Sequence, residues 1–108
     1  IYNKNLNDNF IKPLIQKEEK HVFHIYNIRH NKRNELKKYL EKHNILTTIH
    51  YPVAPHRQKC FKGIFKKQYP ISDKIHSTTL SLPISFSHKK KDILEIIDRL
   101  NKFKSWKV

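Results

Sequence analysis

The sequence predicts a two-layer mixed α/β domain in which a small three-stranded sheet packs against helices. Three observations point there. Strand-like and helix-like segments alternate along the chain. The apolar positions Ile93, Ile96, Ile97, Leu100 and Phe103 recur at i, i+3, i+4, i+7 and i+10, the stripe of a helix laid on a core. A length of 108 residues suits a single core.

Residues 1–20 are polar and weakly patterned, with a short apolar stretch broken by Lys12 and Pro13, and read as a lead-in or linker ahead of a domain over residues 21–108. Residues 22–28 carry β-branched and aromatic side chains at both parities, which predicts a strand covered on both faces. Asn31 stands where a helix cap is expected, and Leu36, Tyr39 and Leu40 form the apolar face of the helix that follows. Asn44, a residue tolerant of the left-handed conformation, ends that helix. Residues 45–51 read as a second strand stopped by Pro52. Pro55 opens a short helical turn, residues 72–79 form a further helical piece, and residues 80–84 a third strand. Ser87 is positioned to cap the last helix. The alternation does not fix whether neighbouring strands run parallel, although a strand-helix-strand unit has parallel pairing as its default.

Composition narrows the function classes. The chain carries 23 Lys and Arg against nine Asp and Glu, a formal charge of +14. Such a balance suggests a small basic nucleic-acid-binding domain as the alternative reading, with Lys66, Lys67, Lys89, Lys90 and Lys91 and the tail Lys102, Lys104, Trp106 and Lys107 as its contacts. Only four of the 23 are Arg, the residue suited to bidentate phosphate or guanine contacts, so a solvated basic surface is the preferred reading. The one cysteine, Cys60, has no disulfide partner and reads as a small core residue. No apolar run approaches the roughly 20 residues that cross a bilayer, so no membrane partner and a cytoplasmic location are expected. The chain starts at Ile1 and lacks methionine, which suggests an excised piece of a longer protein. No metal site is expected: His21 and His24 point to opposite faces of a strand, and His50 and His56 lack a third ligand. Cys60 four residues from His56 is too common a spacing to mark a nucleophile pair.

Chemistry concentrates in residues 47–58, TTIHYPVAPHRQ, where a strand runs into a proline-stiffened loop. Loops anchored on rigid elements carry most binding groups. His50, Tyr51 and His56 each donate or accept hydrogen bonds there, and imidazole titrates near neutrality.

Three blocks, in order, resemble the carboxy-terminal domain of the DegT/DnrJ/EryC1/StrS family of sugar-nucleotide aminotransferases. They are HVFHIYNIR with RNELKKYLEKHNI (residues 21–29 and 33–45), TTIHYPVAPHRQ (residues 47–58), and ISDKIHSTTLSLPISFSHKKKDILEIIDRLNKF (residues 71–103). The resemblance implies the small domain of a fold-type-I transferase dependent on pyridoxal phosphate, closing over a nucleotide-sugar site against its own amino-terminal large domain, in a homodimer. It further implies a nucleotide-linked keto-deoxyhexose as substrate, a dTDP-linked 3-keto or 4-keto 6-deoxyhexose in particular, with an amino acid as amino donor. The family's Schiff-base lysine sits in a His-x-x-Lys context that these residues lack. The chain alone is therefore expected to hold no cofactor and no catalytic residue. If the parent chain has histidine at that position, a dehydratase of the same family is the alternative. By the same resemblance, His50, Tyr51, His56, Gln58 and Arg33 are the candidate substrate-binding residues.

Overall fold

The computed structural model describes residues 1–104. Its elements run α1 (Tyr2–Asn5), β1 (Tyr26–Arg29), α2 (Arg33–Lys42), α3 (Pro70–Thr78), β2 (Thr79–Leu82) and α4 (Lys90–Lys102), with 3-10 turns at Pro55–Arg57 and Lys59–Phe61. The expected mixture of helices on a small sheet is present. None of the described helices is long and apolar enough to cross a membrane.

The sheet has two regular strands where three were expected, and its pairing, which the order of elements left open, is antiparallel. β1 and β2 pair antiparallel, Tyr26 opposite Leu82 and Asn27 opposite Ser81. The parallel default fails because β1 and β2 are sheet neighbours while the segment after α2 pairs on the far side of β2. Residues 45–51 make one bridge, Thr48 to Ser81, instead of a full strand, and Ile11 bridges Arg29 on the other edge. Only the end of the predicted first strand is regular: Val22 is 86% exposed, whereas Tyr26 and Ile28 are buried.

The amino-terminal segment also departs from its reading as a linker. Tyr2, Leu6 and Phe10 are buried in the core, one helical turn apart in sequence. The Tyr2 ring stacks on Tyr26 at 4.7 Å, and its hydroxyl donates to the Pro83 carbonyl at 2.8 Å. Asn101 on α4 accepts from the Asn7 amide and donates to the Asn5 carbonyl. Asparagines that read as linker composition are thus the groups that tie this segment down.

Caps were misplaced by one or two residues. Lys32, not Asn31, precedes α2, and its amide donates to Nδ1 of His30, while the Asn31 side chain accepts from Lys74. At α4 the Asp92 carboxylate accepts from the Lys89 amide, and Ser87 instead bonds Ser85. Asn44 does take the left-handed conformation, at φ 59°. The apolar stripe of α4 lies as its periodicity requires: Ile93, Ile96, Ile97 and Leu100 are buried against Ile28, Leu36, Leu40 and Leu80 in one core.

Candidate functional site

The bridge at Thr48 fixes where the loop leaves the sheet, and buried Ala54 anchors its middle. Between them His50 is half-buried, with Nδ1 2.8 Å from Oγ of Ser81. Tyr51 is 64% exposed, so its phenol stands free of the core. The Tyr51 carbonyl accepts from Nδ1 of His76 at 2.6 Å, which ties the loop to α3.

Pro55 starts the 3-10 turn with a preset φ and no amide to satisfy. The turn delivers His56 and Arg57 to Asp73, in the first turn of α3. Nε2 of His56 lies 3.0 Å from Oδ1 of Asp73, and Arg57 donates through Nε at 2.5 Å and Nη2 at 2.6 Å. This is the forked geometry that makes guanidinium–carboxylate pairs specific. Hydrogen bonding from Arg57, reinforced by its charge and that of His56, lowers the Asp73 carboxyl to about 2, and the same contact raises the Arg57 guanidinium. The Tyr69 ring lies 4.9 Å from the His56 ring. Around these groups is a concavity of about 410 Å³ whose lining includes Phe65, Lys67 and Gln68.

Arg33 sits elsewhere. It is buried at the start of α2 and donates to the Thr79 carbonyl at 3.0 Å and the His76 carbonyl at 3.4 Å. Burial lowers its guanidinium from the usual range. Beyond a bond to the Asn34 side chain next to it, its contacts are to the end of α3 rather than to the loop. Gln58 is exposed, with Cys60 Sγ 3.9 Å from its Oε1. Cys60 is itself exposed, contrary to the expectation of a core residue, because the 3-10 turn Lys59–Phe61 carries no buried side chain. Trp106 and Lys107 of the basic tail lie outside the described residues. Sequence reading missed Asp73, Ser81 and Asn27. A carboxylate three residues after Pro70 was a signal for a helix first turn, but nothing in the sequence showed that it would meet residues 56 and 57.

The exposed apolar side chains of residues 51–75 belong to this same region: Tyr51, Val53, Ile64, Phe65, Ile71 and Ile75 are each more than 40% exposed. Among the described residues no group of three or more His, Cys, Asp or Glu side chains is placed to hold a metal ion. No described lysine is buried; Lys12 and Lys37 are the least exposed, and they bond Asp8 and Glu41. A lysine that attaches a cofactor aldehyde is normally desolvated, so the lysines here do not fit that task.

Residues 1–101 match the DegT/DnrJ/EryC1/StrS aminotransferase family. The chain belongs to that family. A relative is the dTDP-3-amino-3,6-dideoxy-alpha-D-galactopyranose transaminase of Aneurinibacillus thermoaerophilus, 34% identical over 91 residues, which are 84% of this chain and 25% of the relative. The chain spans about a quarter of the length of the curated relatives it matches. Among solved structures, Streptomyces venezuelae DesV in complex with a ketimine intermediate superposes with a TM-score of 0.87 at 26% identity, covering 94% of this chain and 28% of that one. The fold is shared at lower identity by the Bacillus subtilis protein solved with bound cofactor PMP: TM-score 0.73, 23% identity, 91% of this chain and 23% of that one. The family is one of aminotransferases.

Proposed function

We propose that this chain, its amino-terminal segment included, acts as the small domain of a pyridoxal-phosphate-dependent enzyme that aminates a nucleotide-linked keto-deoxyhexose for surface-polysaccharide or amino-sugar biosynthesis in the cytoplasm. A dTDP-linked 3-keto-6-deoxyhexose is the favoured substrate, in line with the relative that covers most of this chain. The cofactor, held by a larger domain, supplies the electron sink and carries the amino group from an amino-acid donor.

The observation that carries this reading is the placement of the His-Tyr-Pro loop. His50 is half-buried and Tyr51 exposed, several apolar side chains between residues 53 and 75 are exposed as well, and His56 is held beside a concavity by Asp73. Exposed apolar surface of this kind marks a face that another body covers. The polypeptide covering it is, on this proposal, the enzyme's own large domain, and the complete enzyme works as a homodimer. His50, Tyr51, His56 and Gln58 then contact the sugar nucleotide. Arg33 acts at one remove, by holding the end of α3 against α2. The chain by itself binds no cofactor and turns over no substrate.

The test is made on the complete polypeptide that contains this chain. It is incubated with pyridoxal phosphate, L-glutamate and either dTDP-3-keto- or dTDP-4-keto-6-deoxyhexose, and the product is followed by mass spectrometry. Replacement of the keto oxygen by an amino group is expected, faster with the 3-keto sugar. Loss of water with no nitrogen gained would identify a dehydratase and overturn the assignment.

A further inference from the structure

Two residues behind His50 make the hydrogen bonds that bear on its tautomer. Asn27 and Ser81 face each other across the β1–β2 ladder, and Thr48 bridges Ser81 on the other side, so the side chains of all three share one sheet face. His50, two residues beyond Thr48, returns to that face. Ser81 is buried, and its Oγ lies 2.5 Å from Oδ1 of Asn27, an atom that only accepts. The single hydroxyl hydrogen of Ser81 is therefore engaged toward Asn27. The other contact of Ser81 Oγ, 2.8 Å to Nδ1 of His50, must run the opposite way, with Nδ1–H donating. A neutral imidazole with its hydrogen on Nδ1 has a bare lone pair on Nε2.

We propose that Asn27 and Ser81 are positioning residues that hold His50 in the Nδ1–H form, so that Nε2 is offered as an acceptor to a hydroxyl of the bound sugar. This rests on the reading of His50 as a substrate contact. It assigns His50 to a hydrogen-bond donor on the substrate and not to the pyrophosphate or the keto oxygen, which only accept. Ladder pairing keeps the two positioning residues in register, since the backbones of Ser81 and Thr48 exchange bonds at 2.8 and 3.3 Å.

Imidazole ¹⁵N spectra of this chain, recorded at pH 8 above the ordinary histidine range, test the first part. The wild type is expected to show protonated Nδ1 and unprotonated Nε2 at His50. Ser81→Ala should shift the proton toward Nε2, the form a free side chain prefers. Asn27→Asp, which keeps an acceptor facing Ser81, should retain Nδ1–H. A wild-type His50 protonated at Nε2 would overturn the proposal without any variant. In the complete enzyme, Ser81→Ala should raise KM for the sugar nucleotide about tenfold, as expected when one neutral hydrogen bond is replaced by opposed donors, with KM for the amino donor unchanged. An unchanged sugar KM would equally overturn it. Absence of transamination by the wild-type enzyme counts against the function proposed above, and the imidazole spectrum then decides the positioning on its own.

Discussion

Asp73 is the residue on which two elements meet. It joins the 3-10 turn, through His56 and Arg57, to the first turn of α3. Its carboxyl is lowered from 3.8 to about 2 in the folded chain, so its contribution to stability is fully present above pH 4 and is lost as pH falls through 2. Acid unfolding followed by circular dichroism should therefore show a component between about pH 4 and pH 2 in the wild type, absent in Asp73→Asn. His30 acts on stability in the same direction, in a higher pH range. Burial lowers its imidazole, so the folded chain resists protonating it and loses stability as pH drops below the ordinary histidine value, with Glu35 opposing the effect. Arg33 makes a prediction of a different kind. Arg33→Ala leaves the Thr79 and His76 carbonyls without their donor and should lower stability by about 2 to 3 kcal/mol in urea titration. Residue types in the loop were legible from sequence because imidazole, phenol and proline in close order have few structural uses. Their partners were not, since Asp73 lies 16 residues from Arg57 and Ser81 lies 31 from His50. Such pairings are decided by how the loop folds back, which no local pattern encodes.

At the scale of elements, α4 carries the clearest correspondence between pattern and packing. Its apolar stripe is buried from Ile93 to Leu100, with Leu100 at 0% exposure and Phe103 half-buried just past the helix end, while Leu94 off the stripe is 41% exposed. Leu100→Ala should cost about 3 kcal/mol and Leu94→Ala less than about 1, both read from denaturant midpoints. A result in which the two are equal would mean that α4 does not pack by this face. The helix start is held by Asp92 rather than by a serine, and Asp92→Ala should cost about 1 kcal/mol. Helices were legible because a stripe repeats within four residues. The sheet was less so. Residues 45–51 have strand-like composition but reach only one bridge, because Pro52 and the turn toward α3 draw the chain away after Thr48. Antiparallel pairing of β1 with β2 depends on 49 intervening residues returning to the first strand's edge, a choice of topology that composition does not reveal. The amino-terminal contribution of Tyr2, Leu6 and Phe10 was hidden by the asparagines and lysine between them, even though their spacing is that of a helix face.

For the whole molecule, a core of 14 buried apolar residues gives this chain an interior of its own. The stretch between residues 51 and 75 nevertheless keeps Tyr51, Ile64, Phe65 and Ile71 in water. Membership of the aminotransferase family, over a quarter of its relatives' length, supplies the reason proposed here: that stretch is where a cofactor-bearing domain closes on the sugar nucleotide. The basic charge needs no nucleic acid on this reading, because the described lysines are exposed or half-buried and spread along the sequence from Lys4 to Lys104. The most direct measurement separates the two half-reactions of the complete enzyme in a His50→Ala variant, by stopped-flow absorbance of the cofactor. The account predicts that reaction with the amino donor proceeds at the wild-type rate, while reaction with the keto-sugar nucleotide slows at least tenfold. Equal rates in both half-reactions would show that the His-Tyr-Pro loop does not face the sugar, and would contradict it.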